Sequence, residues 1–145
     1  MRGLQGSWKS TYAKTLADKW YKRVGKDDLR LMLDNKQFDK KKEKFVEEVE
    51  LSIIDIALRE GYNVVIDDTN ASMKRIDMLL RLFGNMEYSD RLDVRVEQLW
   101  TPLEECIERD SKRWPAMVGK EVIMKFYNDH FKEAYESMAM AKPVK

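Results

Sequence analysis

The sequence predicts an α/β domain in which a parallel sheet flanked by helices binds its ligand at the carboxyl ends of the strands. Three observations predict it. Gly3-Leu4-Gln5-Gly6-Ser7-Trp8-Lys9-Ser10-Thr11 follows the pattern of a phosphate-binding loop at every position but one, and it runs into helix-compatible sequence. The apolar run Val64-Val65-Ile66 ends in Asp67-Asp68, as a buried strand that delivers carboxylates does. Strands and helices alternate along the rest of the chain. A length of 145 residues suits one domain around one core, read as residues 1–138 with a frayed tail over 139–145.

Each element has its own warrant. After the loop, Ala13, Leu16, Ala17 and Trp20 recur at helical spacing, which predicts a helix over 11–20. Trp20 to Val24 reads as a short strand leading into the charged cluster Gly25-Lys26-Asp27-Asp28-Leu29-Arg30. Lys40 to Leu58 predicts a long helix with Phe45, Val49, Ile53, Ile56 and Ala57 on its apolar face and Gly61 as its cap. Residues 63–70 form the strand that ends in the two aspartates, and Met73 to Phe83 a second amphipathic helix. Asp93 to Trp100 alternates like an edge strand. Thr101-Pro102 should cap and start a helix that ends at Trp114-Pro115, and a final helix should run from Lys120 to about Ser137. The strand that ordinarily precedes a phosphate loop has only Met1 and Arg2 to represent it.

Composition narrows the function classes. The net charge of +1, from 27 basic and 26 acidic residues, provides no overall field for binding a long polyanion or an anionic membrane. The single cysteine, Cys106, cannot form an internal disulfide, which suits a reducing cytoplasm. No apolar run is long enough to cross a bilayer, and no signal-peptide stretch opens the chain.

The chemistry-bearing candidates lie at the predicted strand ends and in the loop. In a phosphate loop, backbone N–H groups, here those around Gly3, Gly6, Ser7 and Thr11, wrap the phosphates. The lysine reaches the outer phosphates and the hydroxyl holds Mg²⁺; Lys9 and Ser10 occupy those positions. Trp8 stands where the pattern has glycine, so a Cβ and an indole must be accommodated where backbone meets ligand. On the sequence alone, Trp8→Gly should raise nucleotide affinity by restoring that access. Asp27 and Asp28 read either as a solvated turn or as the source of a base for an acceptor hydroxyl, with Arg30 on the same helical face as Asp27. Arg109, Lys112 and Arg113 line one helical face, as a solvated basic stripe or as a lid that brings cations to phosphoryl oxygens. His130 and Cys106 read as packing residues.

Four segments in order carry a resemblance to the kinase module of phage-type polynucleotide 5′-kinases and related P-loop kinases. They are the Gly3–Thr11 loop, Lys26-Asp27-Asp28-Leu29-Arg30, Val64-Val65-Ile66-Asp67-Asp68-Thr69-Asn70, and Arg109-Asp110-Ser111-Lys112-Arg113 followed by Val118-Gly119. The resemblance covers nearly the whole chain. It implies a P-loop kinase-like fold, a parallel sheet flanked by helices from which the short start before Gly3 departs, and ATP (or GTP) with Mg²⁺ as donor and cofactor. Asp27 is then the base for a 5′-hydroxyl of DNA or RNA, Lys9 and Arg113 complete the catalytic set with Arg109 also on the donor phosphates, and Ser10 ligates the metal. The acceptor end would meet Arg30, Asp68, Thr69 and Val118. Gln5, in place of a frequent proline, and Trp8 depart from the family pattern. A small-molecule kinase and a nucleotide-binding module without turnover are the alternatives, and oligomeric state is not legible.

Overall fold

The computed structural model describes residues 1–35, 38–115 and 117–140. Its elements are α1 (Lys9–Ala17), β1 (Tyr21–Val24), α2 (Lys26–Asp34), α3 (Glu43–Arg59), β2 (Asn63–Ile66), α4 (Met73–Gly84), a 3-10 turn (Ser89–Arg91), α5 (Leu103–Ser111), α6 (Lys120–His130) and α7 (Lys132–Met140). The chain divides into two compact units: Met1 with Lys9–Asp68, and Arg2–Trp8 with the residues from Thr69 onward. The proposed tail falls partly on the end of α7, and residues 141–145 lie outside the described residues. Among the described residues no helix is long and apolar enough to cross a membrane.

In the first unit β1 and β2 pair in parallel, from Tyr21 opposite Asn63 to Val24 opposite Ile66, with α3 as the connecting helix. Gly25 lets the strand ends approach: a Cβ there would come within 2.8 Å of the Asp67 carbonyl oxygen. The helix after the loop buries Ala13 but stops at Ala17, and Trp20 is 88% exposed in a left-handed conformation (φ 72°), so it does not extend the α1 face. The apolar face of α3 also differs from the expected one. Val46, Glu50, Ile54 and Ala57 are buried, whereas Phe45, Ile53 and Ile56 are exposed. Apolar residues occupy two adjacent stripes of this helix, and packing against β1, β2 and α2 selects the stripe one residue further along. Gly61, at φ 81°, follows the end of α3 as expected.

The second unit is built on Leu4, Ala71, Cys106, Ile123 and Phe131, with Phe126, Tyr127 and Tyr135 packed against them. Helix α4 turns Ile76, Leu79 and Phe83 inward. Asp93–Trp100 is not a strand: a single parallel bridge joins Arg2 to Gln98, and Val94 and Val96 are exposed. A strand needs a partner along its length, and Arg2 is the residue that pairs with it, through Arg2 N–H to Glu97 O (2.7 Å) and Leu99 N–H to Arg2 O (2.9 Å). Pro102, not Thr101, occupies the cap position of α5, and the Thr101 hydroxyl donates instead to Ser7 O. Helix α5 ends at Ser111, before Trp114-Pro115. The expected last helix is two helices. The chain leaves helical geometry at Phe131 (φ −126°, ψ −23°), whose buried ring lies 4.3 Å beneath the Arg2 guanidinium.

Candidate functional site

The loop is pinned by its one apolar residue. Leu4 is fully buried in the second unit's core, which fixes where the following residues turn. Gly6 (φ 80°) passes so near α5 that a Cβ would lie 2.4 Å from the Cys106 carbonyl oxygen. The loop carbonyls are tied to the protein: Leu4 O accepts from Ser7 N–H (3.2 Å), Gly6 O from Arg109 Nη1 (3.3 Å) and Ser7 O from the Thr101 hydroxyl (3.3 Å). An anion cradle needs that arrangement, because carbonyl oxygens facing a phosphate would repel it. Gly3 N–H donates to Thr69 O (3.3 Å), so Thr69 supports the start of the loop.

Trp8 keeps the glycine-like backbone at its position, φ 68°. Its indole is 53% exposed, with the Arg109 guanidinium 4.6 Å from the ring centroid. The Arg109 Nη2 group also pairs with the Glu105 carboxylate one turn earlier. Of the two candidate lid arginines it is therefore Arg109 that reaches the loop. Arg113 is exposed beyond the end of α5, its backbone N–H on Asp110 O (3.0 Å).

In the first unit Lys9 begins α1 and is buried, with Ser10 and Thr11 in the first helical turn, where backbone N–H groups and the helix dipole favour an anion. Ser10 Oγ donates to Asp67 Oδ1 (3.2 Å), which joins the loop's hydroxyl to the acid at the end of β2. Asp67 also accepts from Arg23 Nε (2.9 Å), and Arg23 Nη2 reaches Asp28 (2.5 Å). Burial pushes the Asp67 pKa up, against the opposing hydrogen bonds of Arg23 and Ser10 and the charge of Lys9. Asp68 Oδ1 accepts the Lys26 N–H (2.9 Å), so this carboxylate holds the first turn of α2, the turn that carries Asp27; its buried Oδ2 has no hydrogen-bond partner and lies 3.8 Å from Lys26 Nζ. Hydroxyl and carboxylate oxygens are the donors Mg²⁺ takes, so Ser10 and Asp67 fit it. Among the described residues no group of three or more His, Cys, Asp or Glu side chains could hold a metal ion.

Asp27 is almost fully exposed at the start of α2, 2.8 Å from Arg30 Nη1. Glu43, at the start of α3, takes Arg30 in a two-pronged pair (Nε–Oε1 2.7 Å, Nη2–Oε2 2.8 Å). Those bonds raise the Arg30 pKa and lower that of Glu43. Val118 is 41% exposed, and its N–H, with that of Gly119, is held by the buried Asp110 carboxylate at 2.7–3.1 Å. Asp110→Ala leaves both amides without that acceptor and is expected to lower stability by about 1–3 kcal/mol, measured by urea unfolding, with Asp110→Asn losing less. An open apolar groove of about 440 Å³ along β1 and α3, lined by Tyr21, Val24, Ile53, Ile56 and Tyr62, holds none of the candidate site residues.

Arg23 and Glu43 are residues that the sequence does not single out, and the contacts of Thr101 with Ser7 O and of Asp110 with the Val118 and Gly119 amides are likewise not legible in it. Their partners lie far along the chain or across a turn, so periodicity carries no sign of them. An acidic residue nine positions before a glycine that starts a helix was the one available hint for Asp110.

Comparison with known proteins places this site in context. The model of a family described as AAA domain matches residues 1–132. A protein of Autographa californica nuclear polyhedrosis virus, described as a bifunctional polynucleotide kinase/RNA ligase, is 28% identical over 144 residues, covering 90% of this chain. The chain spans 20% of that relative's length. A chain in the structure of the Pnkp1/Rnl/Hen1 RNA repair complex superposes with a TM-score of 0.77 at 22% identity, covering 94% of this chain and 44% of that one. A second structure, of the Pnkp1/Rnl/Hen1 complex, gives 0.64 at 27% identity over 74% of this chain and 36% of that one. The fold is that of a P-loop kinase-like α/β domain, and among the described residues its sheet consists of β1 and β2.

Proposed function

The chain belongs to the AAA domain family, and on that premise we propose that it transfers the γ-phosphoryl group of ATP or GTP, with Mg²⁺, to the 5′-hydroxyl end of a DNA or RNA strand. One observation carries the phosphotransfer reading: the Ser10 hydroxyl of the loop's helix stands 3.2 Å from the Asp67 carboxylate at the end of β2. The acceptor class is supported by the polynucleotide kinase named in the viral relative. Near-neutral charge favours the grip of one terminus over a long groove.

In this reading Lys9, Arg109 and Arg113 neutralise the donor phosphates, Ser10 ligates the cation, and Asp27 takes the proton of the 5′-hydroxyl. The 5′-oxygen forms its bond to the γ-phosphorus as the bond to the bridging β–γ oxygen breaks, and the nucleoside diphosphate leaves. Bound Mg²⁺ supplies charge neutralisation at the β- and γ-phosphate oxygens. Arg30, Asp68, Thr69 and Val118 serve the acceptor end. Binding without turnover is the second reading, favoured by Arg30, which already gives three of its five N–H donors to Glu43 and Asp27 and so offers an acceptor phosphate only what remains.

The test is transfer of radiolabel from γ-labelled ATP to a 5′-hydroxyl oligonucleotide, with nucleosides and sugars as competitors. Label on the oligonucleotide that these competitors do not divert is the expected result. Label on the competitors would indicate a small-molecule kinase, and nucleotide binding without transfer to any acceptor a non-catalytic module.

A further inference from the structure

We infer that Trp8 is a positioning residue for Arg109: its indole is an aromatic shelf that keeps the guanidinium at the phosphate loop before nucleotide arrives. The inference rests on the kinase reading for its consequence, though not for its geometry.

Trp8 holds a left-handed backbone (φ 68°) that glycine adopts without strain, so the indole is not there for the convenience of the turn. It is not core filler either, being 53% exposed. What the ring does touch is Arg109, whose guanidinium carbon lies 4.6 Å from the ring centroid, within the range of a cation–π contact. Arg109 is thus held on three sides, by the indole, by Gly6 O at 3.3 Å and by the Glu105 carboxylate. Two of its five N–H donors are used in those hydrogen bonds, which leaves others for the oxygens of a phosphate. A long arginine on a helix surface ordinarily loses rotamer freedom when it engages a ligand. An aromatic face that restricts it beforehand removes part of that loss. The substitution that sets this loop apart from its pattern therefore has a use, and the sign expected for Trp8→Gly is the reverse of the one read from sequence.

The test combines calorimetry of Mg-ATP and Mg-ADP with NMR of the ligand-free protein, on the full chain. Trp8→Leu and Trp8→Gly are expected to weaken Mg-ATP binding by about two- to five-fold, the scale of an exposed cation–π contact. Trp8→Phe should recover most of the loss, and Mg-ADP binding should weaken less. In an Arg109→Gln background the same Trp8 changes should have no further effect. In the ligand-free protein the Arg109 side-chain resonances should carry a ring-current shift that Trp8→Leu removes. Additive losses, tighter binding by Trp8→Gly, or Arg109 resonances indifferent to Trp8 would overturn the shelf. Absence of Mg-ATP binding by the unaltered protein would instead overturn the kinase reading, and the ligand-free spectra would still decide the shelf. Trp8→Gly needs no strained dihedral, so the comparison stands even where Trp8→Leu fails to fold.

Discussion

Asp27→Ala is expected to lower phosphoryl transfer to a 5′-hydroxyl oligonucleotide by about 10²- to 10⁴-fold, the usual contribution of a positioned general base, while Mg-ATP binding stays at the parent level. The argument begins with exposure. The Asp27 side chain is 98% exposed and its ion pair with Arg30, at 2.8 Å, is at the surface, so its removal costs the fold little. Arg30 keeps its two-pronged pair with Glu43, and α2 keeps the hold of Asp68 on the Lys26 amide. What disappears is a carboxylate just past the carboxyl end of β1, the group proposed as the base for the 5′-hydroxyl. Steady-state transfer beside calorimetry with Mg-ATP separates the two quantities, and a variant as active as its parent would remove Asp27 from the mechanism.

Gly6→Ala is the substitution with the largest expected effect on stability, a loss of about 2–4 kcal/mol. Two costs combine. An L-residue at φ 80° is strained, and the added Cβ would stand 2.4 Å from the Cys106 carbonyl oxygen and 3.1 Å from its carbonyl carbon and Cα. These are backbone atoms, so no rotamer change relieves the clash. Either the loop moves away from α5, which breaks the Arg109 bond to Gly6 O, or α5 moves and opens the packing of Leu4 on Cys106. The thermal midpoint and the urea midpoint both report it, and midpoints equal to those of the parent would show that the loop does not depend on this contact.

Much of the site was legible because its chemistry is local. The loop, the helix it opens and the acids after Ile66 are contiguous patterns, whereas the Ser10–Asp67 bond that joins them is visible only in the structure. The rest depended on choices between partners. On α3 two apolar stripes compete, so which one is buried is decided by β1, β2 and α2 and not by the helix itself. The alternating residues 93–97 have the period of a strand, but pairing is limited to the Arg2–Gln98 bridge. The final helix breaks where Phe131 turns into the core, which a continuous helical pattern conceals. The sequence leaves Arg30 open to an acceptor, yet Glu43, thirteen residues away, holds it through charge and fork geometry with no periodic signature. Trp8 looks like an obstruction in the sequence, where its identity is visible and the exposure of its ring is not.

Arg2 stands inside the fold with its guanidinium on Gln98 Oε1 (2.6 Å), Ala71 O (3.1 Å) and His130 O (2.7 Å). At 7% exposure it is a trypsin site that the native protein withholds. The bond between Arg2 and Gly3 can be cut only by a molecule in which those three acceptors have let go. Cleavage after Arg2, followed by mass spectrometry under dilute protease, therefore counts excursions of this unit out of its native packing. That clock runs whether or not a nucleotide is ever bound.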